Sequence, residues 1–345
     1  MVESASLQNL ERHLERAALS GPFLIVSQPR IFEAVGRGLR KRFPLELIPD
    51  GERAKAFPTV QRLLGRFSDL HMNRHSTVIA LGGGVVGDVT GFAASIYMRG
   101  IAVVQIPTTL LAQVDSSIGG KTGVNFRTVK NLVGAFHQPR LVLCDVQTLN
   151  TLPLREYRSG LYEAIKYGIL GDRMLFDDFN ARFSEILHRE PATVERLVAR
   201  CASIKAGIVS RDERESDLRR VLNLGHTVGH GLEAAGGFRR LKHGEAVGYG
   251  MIAAVRISRT MGRMTEQEAS CAESVIRAIG PLPALGGLKL EAVMGALLHD
   301  KKVRDGAIHF VLPVAIGHVE ITRDVPLPLV REAVKALLHE NKARA

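Results

Sequence analysis

The chain has 345 residues, of which 46% are apolar and 23% charged, and these near-average values exclude wholesale disorder and a coiled coil. The formal net charge is +11, but the basic residues are dispersed and do not alternate with aromatic residues as on a nucleic-acid platform. We therefore expect no nucleic-acid partner, and the charge suits an anionic small-molecule substrate instead.

The sequence also argues against export and against membrane insertion. The first 25 residues lack the apolar core of a signal peptide, and no window of 18 uninterrupted apolar residues occurs. Three widely spaced cysteines form neither a disulfide framework nor a CxxC metal site. We expect a soluble cytoplasmic protein with no membrane partner.

Short β-branched runs alternate with helical patterns in the first part of the chain. The predicted strands are FLIVS (23–27), LELIP (45–49), TVIAL (77–81), AVVQIP (102–107) and LVLCD (141–145). Helical spacing lies between them, at 31–43 and 56–70. This alternation predicts an α/β domain with a mostly parallel sheet over residues 1–155.

The pattern becomes mainly helical over the remaining residues, 156–345. Helical spacing is present at 156–170, 192–209, 225–235, 244–261, 267–280 and 329–341. One hairpin is predicted at 307–322, before the last helix. We therefore predict a second, mainly α-helical domain.

Three loops in the first part are suited to phosphate groups. LGGGVVGD (81–88) follows a predicted strand, Thr108 and Thr109 follow the next, and SSIGGKTGVN (116–125) is predicted as a Ser/Gly loop leading to Lys121. Glycines allow a phosphate to approach backbone N–H groups at a helix start, and lysine adds a point charge. The run is not GxGxxG, so glycines that merely relieve a tight turn remain an alternative.

Histidine spacing in the second part suggests a metal site. His226 and His230 are four residues apart and share one helical face, His243 follows, and Glu163 lies one helical turn before Lys166. Imidazoles with a carboxylate suit Zn²⁺, and three protein ligands leave one position open for substrate. The spacing lacks the glutamate of HExxH, so ordinary core or surface histidines remain an alternative.

Together these segments resemble the 3-dehydroquinate synthase family. The matching stretches, in order from about Asp50 to the DKK at 300–302, include GGGVVGD, IPTTLLAQVDSSIGGKTGVN, KNLVGAFHQP, SGLYEAIKYG, NLGHTVGHGLE and KHGEAV. The resemblance implies a phosphorus–oxygen lyase of the shikimate pathway with bound NAD and a divalent metal, zinc or cobalt. Members convert 3-deoxy-arabino-heptulosonate 7-phosphate to 3-dehydroquinate and phosphate by oxidation, phosphate elimination, re-reduction and aldol closure.

The resemblance also implies roles for individual residues. The implied metal ligands are Glu163, His226 and His243, and the implied catalytic residues are His230 as proton carrier, Lys166, Lys205, Arg219 and Asn223. The implied NAD-binding residues are Asp50, Gly51, Glu52, Arg53, Ala54, Lys55, Gly84, Val85, Val86, Gly87, Asp88, Thr108, Thr109, Lys121, Lys130, Thr148, Leu149, Asn150 and Thr151. The implied substrate-binding residues are Arg99, Asp115, Lys121, Asn131, Lys166, Lys205, Arg219, Asn223, Lys301 and Lys302.

Arg99 resembles an arginine that reaches the phosphate from a neighbouring subunit, which implies a homodimer. Two departures from the family stand out: SQPRI (27–31) lacks an expected acidic residue, and Tyr162 replaces a small one before Glu163. The alternatives are another sugar-phosphate cyclase, of valiolone or inosose type, a metal-dependent alcohol dehydrogenase of glycerol-dehydrogenase type, and an inactive binding protein.

Overall fold

The computed structural model describes residues 1–127, 129–302 and 308–340, and for 299–302 the backbone only. The strands are β1 (Phe23–Ser27), β2 (Leu45–Leu47), β3 (Thr77–Gly82), β4 (Ala102–Pro107), β5 (Lys121–Phe126), β6 (Val129–Phe136), β7 (Leu141–Val142), β8 (Phe310–Ala315) and β9 (His318–Thr322). The helices are α1 (Leu10–Arg16), α2 (Pro29–Ile31), α3 (Phe57–Asp69), α4 (Gly84–Ile96), α5 (Leu154–Gly171), α6 (Arg173–Ala181), α7 (Phe183–Leu187), α8 (Pro191–Arg211), α9 (His226–Ala235), α10 (His243–Thr260), α11 (Glu266–Ala278), α12 (Leu290–Lys302) and α13 (Leu327–Glu340).

The chain separates into two compact units. The first consists of Met1–Pro153 and Arg189–Ser210, and the second of Leu154–His188 and the described residues from Arg211 onward. The first unit contains the sheet, and the second is mainly helical with the β8–β9 hairpin. The predicted fold class, a parallel-sheet α/β part followed by a helical part, is confirmed.

The sheet of the first unit has five parallel strands in the order β2–β1–β3–β4–β7. Every residue of β3 is buried, as expected where both faces of a parallel sheet are covered. Because side chains alternate along a strand, Val26 and Ala80 join one core with residues of α3 and α4. Ile25 and Ile79 join a second core with Leu14 of α1.

Two sequence predictions in the first unit are wrong in detail. The predicted loop at 116–125 ends at Gly120, because residues from Lys121 onward form β5 and pair antiparallel with β6. The helix predicted over 31–43 is broken into α2, a π-helical turn at Phe32–Gly36 and a 3₁₀ turn at Arg37–Leu39. Gly36 and Gly38, both poor helix formers, lie in this irregular stretch.

The helix α8 packs with the first unit although it follows the start of the helical part. Arg189 donates to the carbonyl oxygen of Leu149 at 2.7 Å, and Ser4 donates to Glu195 at 3.0 Å. These contacts join residues far apart in sequence, so local spacing does not reveal them. The division into an NAD-binding domain at 1–155 and a metal- and substrate-binding domain at 156–345 remains a prediction.

No helix within the described ranges combines the length and the apolar character that a membrane crossing requires.

Candidate functional site

The carboxyl ends of β1 and β3 form the candidate nucleotide-binding edge of the first unit. β2 lies on one side of β1, and β3, the next strand in the chain, lies on the other side. Ligands of wound sheets bind where the strand order reverses in this way. Gln28, which follows β1, donates to the carbonyl oxygen of Pro49 at 2.8 Å. This bond holds the segment that begins at Asp50 at the same edge.

The start of α4 offers backbone N–H groups at this edge. Gly83 occupies the N-cap with an ordinary φ of −76°, so the glycine run does not serve a left-handed turn. Instead the run allows close approach, since a Cβ on Gly84 would lie 3.0 Å from Ser116 Oγ, and one on Gly83 would lie 3.0 Å from Thr109 Cγ2. The free N–H groups and the helix dipole together favour an anion.

An ion pair joins the two predicted NAD-binding segments. Lys55 Nζ lies 2.6 Å from Asp88 Oδ2, and the lysine side chain is 6% exposed. Burial raises the pKa of Asp88, although the neighbouring ammonium of Lys55 acts in the opposite direction. The predicted positions Asp50–Lys55 and Gly84–Asp88 are therefore brought together.

The remaining predicted NAD-binding residues lie on other segments of the first unit. Thr108 is buried and its N–H donates to Gly82 at 3.0 Å, which places the end of β4 beside the glycine run. The 3₁₀ segment Val146–Thr151 holds the predicted residues 148–151, and Gln113 donates to Thr148 Oγ1 at 3.3 Å. Lys121 and Lys130 are exposed on the β5–β6 hairpin.

Two predicted substrate-binding residues form a second ion pair in the first unit. Lys205 Nζ on α8 donates to both Oδ1 and the carbonyl oxygen of Asp115 at 2.6 Å.

Asn131 is exposed on the hairpin, and its N–H donates to Asn125 Oδ1 at 2.9 Å. Asn125 in turn donates to Glu52 at 3.0 Å, so the hairpin is tied to the segment after β2.

Arg99 lies at the far end of α4 from the glycine run. It is exposed, and both Met98 and Arg99 have positive φ, of 50° and 68°. The length of α4 between Gly84 and Ile96 corresponds to about 18 Å. Within its own unit, Arg99 is thus separated from the candidate nucleotide-binding edge.

The candidate metal centre lies in the second unit, where Glu163, His226 and His243 converge. Their ligand atoms all lie within 4.8 Å of one another. Glu163 Oε1 is 3.6 Å from His226 Nε2 and 3.4 Å from His243 Nε2. Metal–ligand bonds of about 2.0–2.2 Å in a tetrahedral arrangement require ligand separations of roughly 3.3–3.6 Å, so this donor set fits a zinc-sized ion.

Close helix packing brings the three residues together. Glu163 lies on α5, His226 begins α9, and His243 begins α10. A Cβ on Gly244 would overlap the carbonyl group of Ser159 on α5, and one on Gly250 would overlap that of Gly225 before α9. Glycine at these two positions is therefore required for the approach of α10 to both neighbours.

Hydrogen bonds at Nδ1 orient both imidazoles. The ring of His226 contacts the carbonyl oxygen of Leu224 through Nδ1 at 3.2 Å, and that of His243 contacts Glu233 Oε2 through Nδ1 at 3.2 Å. In each ring this bond assigns the proton to Nδ1 and leaves Nε2 as the atom that faces Glu163. Each ring therefore directs Nε2, the nitrogen that a metal would bind, at Glu163.

The electrostatics of the cluster favour a cation. Burial holds the pKa of His226 well below its ordinary value, so this ring is neutral. Burial also acts to lower the pKa of His243, but hydrogen bonds to Glu163 and Glu233 outweigh it and raise this pKa to about 10. Lys166 Nζ lies 2.6 Å from Glu163 Oε2, and both side chains are almost fully buried.

His230 lies beside the cluster on α9 and is exposed. Its ring centroid is 5.4 Å from that of His226 and 5.9 Å from that of His243. The predicted proton carrier is thus adjacent to the candidate ligands but has a more accessible side chain.

Hydrogen bonds to Asp212 hold the loop that carries Arg219 and Asn223, just before α9. The buried carboxylate of Asp212 accepts the backbone N–H groups of Ser216, Asp217 and Arg219, each at 2.9 Å. These bonds hold the pKa of Asp212 far below its ordinary value. Asp212 therefore fixes the backbone that carries Arg219, whose side chain is 2% exposed.

Two residues of this site were not predicted from the sequence, Glu233 and Asp212. Glu233 follows His226 by seven residues, which is two helical turns and hence one face, so a signal for it was present in NLGHTVGHGLE. Asp212 gave no such signal, because its role depends on the path of the loop. Lys301 and Lys302 lie on α12, but their side chains are outside the described residues.

Tyr162 is accommodated next to Glu163 by a small neighbour. A Cβ on Gly248 would lie 2.7 Å from Tyr162 Cδ1, and the phenol donates to the carbonyl oxygen of Gly280 at 3.3 Å. The tyrosine therefore packs within the helical unit and leaves the Glu163 carboxylate in place.

Comparison with known sequences covers both parts of the chain. A family model described as 3-dehydroquinate synthase N-terminal matches residues 46–159, and one described as 3-dehydroquinate synthase C-terminal matches residues 160–303. The 3-dehydroquinate synthase of Solibacter usitatus (strain Ellin6076) is 44% identical over 324 residues, which cover 92% of this chain and 91% of that protein.

Comparison with solved structures gives a consistent result. The 2-epi-5-epi-valiolone synthase ValA from Streptomyces hygroscopicus subsp. jinggangensis 5008, solved with NAD⁺ and Zn²⁺ bound, has a TM-score of 0.89 at 32% identity and covers 99% of this chain and 96% of its own. A 2-deoxy-scyllo-inosose synthase complexed with carbaglucose-6-phosphate, NAD⁺ and Co²⁺ has a TM-score of 0.84 at 28% identity, covering 96% and 95%. With both halves matched and with a relative of 44% identity over nearly the full length, the chain belongs to the 3-dehydroquinate synthase family.

Proposed function

We propose that the chain is a 3-dehydroquinate synthase, a phosphorus–oxygen lyase of the shikimate pathway. It converts 3-deoxy-arabino-heptulosonate 7-phosphate to 3-dehydroquinate and phosphate. The observation that carries the proposal is the convergence of Glu163, His226 and His243, with both Nε2 atoms within 3.6 Å of one carboxylate oxygen, in a chain matched by both halves of the family model.

The proposed cofactors are NAD and a divalent ion, zinc or cobalt. Both structural neighbours were solved with NAD⁺, one with Zn²⁺ and the other with Co²⁺. When bound, NAD⁺ accepts a hydride and returns it, while the ion acidifies the hydroxyl that is oxidised. Glu163, His226 and His243 would hold the ion, and the start of α4 would hold the NAD pyrophosphate through its N–H groups.

The remaining residues bind substrate and move protons. His230 is the proposed proton carrier, because its exposed imidazole lies beside the candidate ligands, where it can contact a bound substrate. Arg219, with five donors in a fixed fork, suits a phosphate or carboxylate group, and Asp212 keeps its backbone in place. In the first unit, Lys205 is the proposed anion-binding cation held by Asp115.

We propose a cytoplasmic homodimer in which Arg99 acts at the site of the neighbouring subunit. The support is the separation of Arg99 from the start of α4 within its own unit, together with exposed apolar side chains beside it, Ile96 and Met98, which are 47% and 43% exposed. Free cysteines, two of them buried, are consistent with a reducing compartment.

A second candidate function is cyclisation of a different sugar phosphate, because the two structural neighbours are a valiolone synthase and an inosose synthase. The two functions differ in the substrate carboxylate, which only the heptulosonate carries. A carboxylate adds a negative charge that basic side chains such as Arg219 can bind.

The test is phosphate release by the chain loaded with NAD and zinc. We expect release from 3-deoxy-arabino-heptulosonate 7-phosphate with formation of 3-dehydroquinate, and loss of this activity on chelation. Glucose 6-phosphate and a heptulose 7-phosphate without a carboxylate should release little phosphate. Faster release from either of these two compounds would favour the second candidate function.

A further inference from the structure

The carboxylate of Glu233 lies behind His243, on the side away from Glu163. Glu233 is on α9, and its side chain is 10% exposed. Its Oε2 atom lies 3.2 Å from His243 Nδ1, while Nε2 of the same ring lies 3.4 Å from Glu163 Oε1. The imidazole of His243 is therefore held between two carboxylates, one at each nitrogen.

The two candidate histidine ligands are oriented by different groups. His226 is held at Nδ1 by the backbone carbonyl of Leu224, which no side-chain substitution removes. His243 is held at Nδ1 by an ionisable side chain, and its own side chain is 34% exposed, so packing restrains it less than it restrains His226 at 13%. The orientation of His243 thus depends more strongly on one replaceable partner.

We propose that Glu233 is a positioning residue for the ion site, an inference that rests on the proposed function. By accepting a hydrogen bond from Nδ1–H it fixes the tautomer and the ring orientation of His243, and it makes Nε2 a stronger electron-pair donor to the ion. Such partners of metal-bound histidines typically contribute 10–100-fold in metal affinity.

Glu233 has one competing role. His230, Glu233 and His243 also place ligand atoms within 4.8 Å of one another, so Glu233 would be a direct ligand if a second ion were bound there. The two roles predict different metal stoichiometry, one ion or two ions for each chain.

The experiment measures the zinc dissociation constant and the zinc stoichiometry of the full chain by competition with a chromogenic chelator, without substrate. We expect one zinc per chain in the wild type. Glu233→Gln keeps an acceptor oxygen but loses the charge, so its zinc affinity should be about tenfold weaker. In Glu233→Ala the loss of zinc affinity should approach about 100-fold. The matched control is Glu273→Gln, which breaks a contact with Arg256 on α10, thirteen residues or about 20 Å along the helix from His243. The control should lower the unfolding midpoint of the zinc-free chain and leave zinc affinity unchanged.

Three results would overturn the proposal. Wild-type affinity in Glu233→Ala would show that the carboxylate does not position the ring. An equal loss of affinity in Glu273→Gln would assign the effect to general destabilisation, and two zinc ions in the wild type with one in Glu233→Ala would make Glu233 a ligand. If Glu163→Gln binds zinc as tightly as the wild type, the proposed metal site itself fails, whereas the three results above leave that site intact.

Discussion

His226 and His230 share one face of α9, yet their surroundings differ. His226 is largely buried, is held by the carbonyl of Leu224 and directs Nε2 at Glu163. His230 is exposed and lies beside this group. A histidine whose ring is accessible and whose neighbours are candidate ligands is suited to proton transfer with a bound substrate.

We predict that His226→Ala and His230→Ala fail in different ways. His226→Ala should lose both zinc and activity, because it removes one of three ligands. His230→Ala should keep zinc and NAD but lose turnover by about 10²–10⁴-fold, the range typical of general acid–base catalysis. Zinc content by elemental analysis and the rate of phosphate release distinguish the two. Loss of zinc in His230→Ala would place His230 among the ligands, and full activity would remove it from the mechanism.

The residues that contact the proposed ion were predictable from the sequence, but the residues that hold them were not. Glu163, His226 and His243 lie in motifs that resemble one family, whereas helical spacing alone grouped His226 with His230. The contributions of Glu233 and Asp212 depend on hydrogen bonds across a turn or between helices. Such bonds are determined by packing, which residue types and spacing alone do not specify.

At the scale of elements, the local hydrophobic pattern predicted the strands whose side chains are strongly buried. The runs at β1, β3 and β4 are mostly apolar, and the structure places them in the sheet as predicted. The hairpin β5–β6 was missed because β6 exposes apolar residues such as Leu132 and Phe136, at 57% and 46%, and contains glycine. Its pairing is visible only in three dimensions.

The start of α4 gives the second prediction. Gly84→Val should weaken NAD binding strongly and leave zinc content unchanged, because a larger side chain fills the space through which the pyrophosphate reaches the N–H groups. Gly65→Val on α3 is the control, since a Cβ there meets no atom within 4 Å. Titration of NAD by calorimetry measures the effect. An unchanged dissociation constant in Gly84→Val would refute this placement of NAD.

At the scale of the whole molecule, we propose that the activity requires more than one chain. Arg99 is exposed and has the positive φ of a strained residue, and such strain is commonly found at functional positions. Its distance from the start of α4, about 18 Å along the helix, supports a role at a neighbouring subunit. The exposed side chains of Ile96 and Met98 are suited to a contact between two copies.

Mixing two inactive variants tests this arrangement. Arg99→Ala and Glu163→Gln should each be nearly inactive alone, whereas mixed dimers formed after subunit exchange should regain activity. In such a dimer, the chain with intact Glu163 receives intact Arg99 from its partner. Phosphate release measured before and after exchange gives the answer. Absence of any recovery in a mixture shown to contain mixed dimers would contradict the action of Arg99 between subunits.

We propose that NAD is used and restored within each catalytic cycle, which separates a cyclising lyase from an alcohol dehydrogenase of similar fold. The most direct measurement follows phosphate release and NADH absorbance together, with 3-deoxy-arabino-heptulosonate 7-phosphate in large excess over NAD. We expect many phosphates to be released for each NAD present, with no net accumulation of NADH at the end. Release that stops at one phosphate per NAD, with an equal amount of NADH formed, would contradict it.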